Sequence, residues 1–265
     1  MCLIIFNWQP NQKHLLTLVS NRDEFHNRPS LDAHYWLDQP HIYGGRDLKK
    51  NGTWLAVSKY HRFAAVTNYR SPEKDTFERS RGEIPSQFLC SELTAHEFSA
   101  NLAEKEYAGY NALLYDGSEL IYCTNRNSED DSNFSHHFEA LPPGQYGLSN
   151  HLLNTPWHKI KRTKPALEKL HKFSENKDIS THLLNAFQDV KLANDENLPS
   201  TGISKSLEKL WSPAFITGPN YGTRTSTVVI MSKEQSYVQE RQYKGEPNKF
   251  HEQAKLISVR PKIAP

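Results

Sequence analysis

Cysteine is scarce in this chain: among 265 residues only Cys2, Cys90 and Cys123 occur. An odd number without C-x-x-C spacing excludes a disulfide framework and a structural zinc site, and it fits a reducing compartment. Long apolar runs are lacking as well. The run from Met1 to Trp8 is far too short for a membrane span or a signal core, has no basic segment before it, and ends at polar Gln9-Pro10-Asn11-Gln12. A soluble, cytoplasmic protein is expected. Charge of one sign does not dominate: 32 Lys and Arg against 30 Asp and Glu leave a net +2, with no block of five like charges. That balance argues against a nucleic-acid partner. Neither G-x-G-x-x-G nor G-x-x-x-x-G-K-[ST] is present, so the glycine-rich nucleotide loops are excluded. The 13 histidines show no H-x-x-x-H or H-E-x-x-H spacing, and His136-His137 sits in an acidic, polar stretch that reads as a loop. No metal and no cofactor are expected.

What is present is a series of strand pairs. Cys2 to Trp8, the turn at Gln9 to Gln12 and Leu15 to Asn21 read as a hairpin. Thr53 to Val57 and Phe63 to Thr67 read as a second, with Asn68 at its far end. Tyr110 to Leu114 and Leu120 to Thr124 read as a third, joined through Asp116-Gly117. Ser80-Arg81-Gly82-Glu83 and Thr94-Ala95-His96-Glu97 match the S/T-x-x-E capping box, each ahead of apolar residues at helical spacing. Trp157 to Phe173 reads as a helix interrupted at Pro165, and Ile179 to Val190 as an amphipathic one. Asn194 to Ser204 reads as a loop before strands at Thr225 to Met231 and Ser236 to Tyr243. Without strict βαβ alternation, this order predicts an α+β protein of antiparallel sheets with helices on their outer faces, a single domain over residues 1–265.

The chemistry concentrates at the N-terminus. Trimming of Met1 leaves Cys2 with a free α-amine beside its own thiol, a nucleophile and a base in one residue. Hairpin geometry brings Asn21-Arg22-Asp23-Glu24 back alongside Cys2, with alternate side chains on alternate faces. Asn68, Asn111 and Asn150 stand at strand ends as donors for a developing oxyanion. Arg224, followed by the hydroxyls of Thr225 to Thr227, offers a cation for a carboxylate or phosphate.

Taken in order, Met1-Cys2, Asn21-Arg22-Asp23-Glu24 with Arg28-Pro29, Gly52-Thr53-Trp54-Leu55, Thr67-Asn68-Tyr69-Arg70, Arg81-Gly82-Glu83, Gly147-Leu148-Ser149-Asn150, Pro156-Trp157 with Lys159, Leu198-Pro199 with Gly202 and Tyr221-Gly222-Thr223-Arg224 resemble the NRDE family. This is the transport and Golgi organisation protein 2 family, and the resemblance covers nearly the whole chain. It implies an N-terminal nucleophile hydrolase-like fold, a four-layer αββα sandwich of two stacked antiparallel sheets. It is similar to penicillin V acylase and bile salt hydrolase, which cleave amides through a processed N-terminal cysteine. On that pattern Cys2 is the nucleophile, Asn68 the oxyanion donor and Asn150 the residue holding the α-amine. Arg22 and Asp23 join them as catalytic candidates, although the hydrolases carry Arg-x-x-Asp where this chain has Asn21-x-x-Glu24. Asn21, Glu24, Asn111, Lys159 and Arg224 are the substrate-binding candidates.

Two readings follow. One is a cysteine amidohydrolase for a small-molecule substrate. The other is a binding or trafficking protein for an amphipathic ligand, acyl-CoA, lipid or haem, in the same cleft. No feature of the sequence specifies an oligomeric state.

Overall fold

In the computed structural model, residues 2–71, 77–102, 106–127 and 134–261 are described. The strands in chain order are β1 (Cys2–Trp8), β2 (Leu16–Phe25), β3 (Ser30–Tyr35), β4 (Ile42–Asp47), β5 (Leu55–Ser58), β6 (Arg62–Asn68) and β7 (Tyr110–Tyr115). They continue as β8 (Leu120–Arg126), β9 (Phe134–Ala140), β10 (Gly144–Leu148), β11 (Tyr221–Met231), β12 (Gln235–Tyr243) and β13 (Phe250–Ser258). Helices are α1 (Glu83–Cys90), α2 (Ala95–Ala100), α3 (His158–Thr163), α4 (Asn176–Ala186) and α5 (Lys205–Leu210), with a 3-10 turn over Lys164–Lys172. The class is α+β: two antiparallel sheets, each carrying helices on one face.

The chain divides into two compact units. The first comprises Met1–Asn27, Pro143–Ser232 and Tyr237–Leu256, around a six-stranded sheet ordered β10-β1-β2-β11-β12-β13. Along β1 the residues Leu3 to Phe6 are all buried, so the strand is covered on both faces. Leu3 and Ile5, with Val19, Val228 and Ile230 of the neighbouring strands, pack against Ile160 of α3, Leu167 of the 3-10 turn, and Leu183 and Leu184 of α4. Gly147 allows this approach, because a Cβ there would stand 2.5 Å from Ile160 Cγ2. Pro165, at the start of the 3-10 turn, ends α3 as its missing N–H requires.

The second unit comprises Arg28–Pro142, Lys233–Ser236 and Ile257–Pro265, with a seven-stranded sheet in sequential order from β3 to β9. Its core joins Ala64, Val66, Ala112, Leu114 and Ile121 to Ile84, Phe88 and Phe98 of α1 and α2. Several of the motif residues serve this unit's frame. Gly52 lies against Gly82, where a Cβ would stand 2.5 Å from the Gly82 carbonyl carbon, and Thr53 N donates to Gly82 O at 2.9 Å. Arg28 forks onto Asp47 at 2.5 and 3.2 Å, and Asp47 also accepts from the Lys49 and Lys50 amides.

All three expected hairpins are present, and β2 runs on to Phe25 rather than ending at Asn21. Thr94 forms the full capping box with Glu97. At α1 only half of the second box exists: the Glu83 carboxylate accepts from Ser80 N at 2.9 Å, while the N-cap position is taken by Gly82. His136 and His137 lie in β9, not in a loop, because the strand uses β8 as a template despite its polar sequence. Strands β3, β4, β10 and β13 and helix α5 were not expected from the sequence. Met1 lies outside the described residues.

Candidate active site

Cys2 begins β1 and is half-buried. Its direct partner on β2 is Arg22, itself only 5% exposed. Directly opposed residues of an antiparallel pair share one face, so thiol and guanidinium belong to the same side of the sheet. On the other flank β10 ends at Leu148, opposite Ile4, and buried Asn150 lies two residues beyond that end. Ser149 ties this corner together, its hydroxyl donating to the Cys2 carbonyl at 2.9 Å and lying 3.3 Å from Asn150 Oδ1. Three chain segments thus converge on the residue that trimming would expose.

Burial pushes the Cys2 thiol above its ordinary pKa. Asp23 and Glu24 push it the same way, and Arg22 opposes them. The guanidinium is therefore the side chain in this cluster that favours a thiolate.

The alternation of β2 separates the N-R-D-E tetrad. Val19 faces the helix-covered core, and Asn21 and Asp23 continue its row. Asn21 is fully buried; its Nδ2 donates to Phe187 O at 3.0 Å and to Ala214 O at 2.8 Å, and its Oδ1 accepts from the Ser226 hydroxyl. Asp23 Oδ1 accepts from Thr223 Oγ1 at 2.6 Å, and that oxygen in turn accepts from Ile216 N at 2.9 Å. Both side chains anchor the connection between α4 and β11 to the sheet, on the face opposite Cys2 and Arg22. Asn21, expected at the substrate, has its amide fully engaged in this work.

Glu24 pairs with Gly222, and its carboxylate accepts from the adjacent Phe25 amide at 2.9 Å. Arg224 is the bulged residue between Thr223 and Thr225, where the register with β2 shifts, and it reaches Phe25 O at 3.4 Å. Lys159 lies on α3 and is 1% exposed. Asn68 and Asn111 belong to the second unit. Asn68 ends β6 opposite Tyr110, while Asn111 donates to Thr67 Oγ1 at 3.3 Å and accepts from the Tyr122 hydroxyl at 2.7 Å.

Ser149 and the hydroxyls of Thr223 and Ser226 had no assigned role in the sequence reading. The signal that finds Ser149 is adjacency: it stands between the end of β10 and Asn150. Among the described residues no three His, Cys, Asp or Glu side chains gather as metal ligands would, and no helix is long and apolar enough to cross a membrane.

Fold and corner together define an α+β protein of two antiparallel sheets with a cysteine as second residue, at the head of a central strand. The chain belongs to the Transport and Golgi organisation 2 family, whose profile matches residues 1–245. A Bos taurus Transport and Golgi organization protein 2 homolog is 31% identical over 256 residues, covering 88% of this chain and 90% of the relative. The Drosophila melanogaster protein of that name is 29% identical over 257 residues, covering 88% and 89%. Among solved structures, the Caenorhabditis elegans ortholog of N-acylethanolamine-hydrolyzing acid amidase is similar at a TM-score of 0.49 and 10% identity, covering 86% of this chain and 92% of that one. A conjugated bile acid hydrolase from Clostridium perfringens is similar at a TM-score of 0.47 and 8% identity, covering 99% and 97%.

Proposed function

We propose that this protein is an N-terminal cysteine amidohydrolase acting on a small-molecule amide. The observation that carries the reading is the direct pairing of Cys2 with Arg22, flanked by Ser149 and Asn150, at the end of a central strand. Met1 is removed first. The freed α-amine takes the thiol proton, and the sulfur attacks the amide carbonyl carbon. Collapse of the tetrahedral adduct breaks the C–N bond, the amine leaves with the proton from the α-ammonium, and the acyl group remains as a thioester on Cys2. Water, deprotonated by the α-amine, then releases the acid. Arg22 favours the thiolate, and Asn150 holds the α-amine.

The test is intact mass together with turnover. Purified protein is expected to lack Met1 and to release amine from a panel of N-acyl amides, while Cys2→Ala releases none. Retained Met1, or equal turnover by Cys2→Ala, would refute the mechanism.

One observation favours the binding reading. Phe25 is 55% exposed and sits edge-on to Tyr221, ring centroids 5.1 Å apart, beside Arg224. An apolar ring next to a cation suits an amphipathic anion. Titration with long-chain acyl-CoA and with haem tests it: saturable binding that weakens in Phe25→Ala supports a carrier, and no binding of either ends it.

A further inference from the structure

The helix-covered face of the first sheet carries polar side chains at both ends of its apolar middle: Asn21 and Asp23 at the Cys2 end, already accounted for, and a second group at the Trp8 end. Gly147, Ile5, Val19 and Val228 form a continuous cross-strand row over β10, β1, β2 and β11. The next row, two residues further along each strand, is Gln145, Asn7, Thr17 and Ile230. Three adjacent positions of this row thus carry amides and a hydroxyl beside the aliphatic row of Ile5, Val19 and Val228. Thr17 is only 2% exposed, and among the described residues no side-chain hydrogen bond engages Asn7, Thr17 or Gln145. Asn7 and Gln145 are only partly buried, so the polar groups of this row are open to a ligand that supplies hydrogen-bond partners.

Above the row lies a hollow of about 560 Å³, within the size range of small-molecule sites. Asn7, Thr17 and Gln145 line it together with the apolar Leu167, Leu170 and Phe173. Lys13, His14 and His171 bring basic groups to it against one carboxylate, that of Glu168. All of these residues belong to the first unit, at the Trp8 end of β1 and away from Cys2. Carboxamides and a hydroxyl, which both donate and accept, complement ligand hydroxyls, and the basic groups complement an anion. Burial and the neighbouring Lys13 hold His14 below its ordinary pKa, which disfavours its charged form and leaves Lys13 as the cation of the pair.

We propose that this hollow is a second binding site, for a small organic anion bearing several hydroxyl groups. It is independent of the hydrolase reading, and Cys2→Ala protein is expected to bind as well as wild type. Isothermal titration with ribose 5-phosphate, glycerol 3-phosphate and gluconate tests it. At least one is expected to saturate with a Kd below about 1 mM, and ribose and inorganic phosphate alone each to bind about tenfold more weakly or worse. Thr17→Val, which removes the hydroxyl and keeps the side chain's size, is expected to weaken binding about tenfold with an unchanged or raised Tm. Lys13→Gln is expected to weaken binding severalfold at unchanged Tm. No saturable binding by any of the three anions would overturn the site. So would equal affinities in wild type, Thr17→Val and Lys13→Gln, the mark of solvent or nonspecific ions filling the hollow.

Discussion

Replacing Asn21 by alanine separates anchoring from substrate contact. In the folded chain the Asn21 amide serves three partners: the carbonyls of Phe187 and Ala214, at 3.0 and 2.8 Å, and the hydroxyl of Ser226. The site is fully buried, so water does not replace the lost group without rearrangement. Each stripped partner costs about 1–3 kcal/mol, and partial relaxation of the 187–214 connection recovers some of it. A net loss of about 3–5 kcal/mol follows, with the vacated side-chain volume included. For a chain of this size each kcal/mol lowers Tm by about 2–4 °C, so Asn21→Ala is expected to melt about 6–20 °C below wild type. Calorimetry and urea titration measure the loss. Turnover or ligand affinity per folded molecule, taken well below the melting range, is expected to stay within twofold. Ser226→Ala, which removes one of the three partners, is expected to cost only about 1 kcal/mol. A Tm within 2 °C of wild type, or a large loss of affinity at unchanged stability, would refute the anchoring role and return Asn21 to the substrate.

Three further outcomes are expected. Gly147→Ala drives a Cβ to within 2.5 Å of Ile160 Cγ2 and is expected to cost about 1–3 kcal/mol, largely recovered in the double variant with Ile160→Ala. Burial pushes the Cys123 thiol up to about 12, so iodoacetamide at pH 8 is expected to label exposed Cys90 and to reach Cys123 only after unfolding. The same shift has a pH signature: the unfolded chain ionises this thiol near pH 8.5 and the folded chain does not, so stability falls from there up to about pH 12. A Cys123→Ala protein with an identical stability profile would refute that assignment. Arg22→Leu removes the guanidinium that favours the Cys2 thiolate, so the pH midpoint for alkylation of Cys2, read in a Cys90→Ser background, is expected to move upward. An unmoved midpoint would place Arg22 outside the thiol's electrostatic reach.

The hairpins were legible because each pairs two β-rich runs across a polar turn, and Asp116 shows why the third stands out. Its carboxylate accepts from the Ser118 and Glu119 amides while Gly117 takes a positive φ of 106°. Strands β9 and β13 were not legible: FSHHFEA and FHEQAKLIS are largely polar and lie at sheet edges, where templating by one neighbour substitutes for burial. In β4 the glycines Gly44 and Gly45 broke the pattern, yet both are demanded by close contacts with Ala56 and Trp54. At the site, antiparallel geometry alone placed Arg22 beside Cys2. The tasks of Asn21 and Asp23 were hidden because their partners are 166 to 205 residues away along the chain. The polar row of Asn7, Thr17 and Gln145 was hidden too, since it exists only once β10 has been set against β1.

The discontinuity of the first unit also dictates an order of events during synthesis. Arg28–Pro142 leaves the ribosome as one uninterrupted stretch and holds all seven strands of its sheet, so it is able to fold early. The opening hairpin emerges before it and waits longest, because β1 obtains its outer neighbour only when Gly144–Leu148 has been made, and β2 only with Tyr221–Met231. Throughout that delay the first strand is an apolar segment with an unsatisfied edge, a natural client for a ribosome-bound chaperone. On the proposed mechanism, trimming of Met1 falls in that same interval, before the strand is seated, and a mutation that hastens closure of the corner would shorten the opportunity for it.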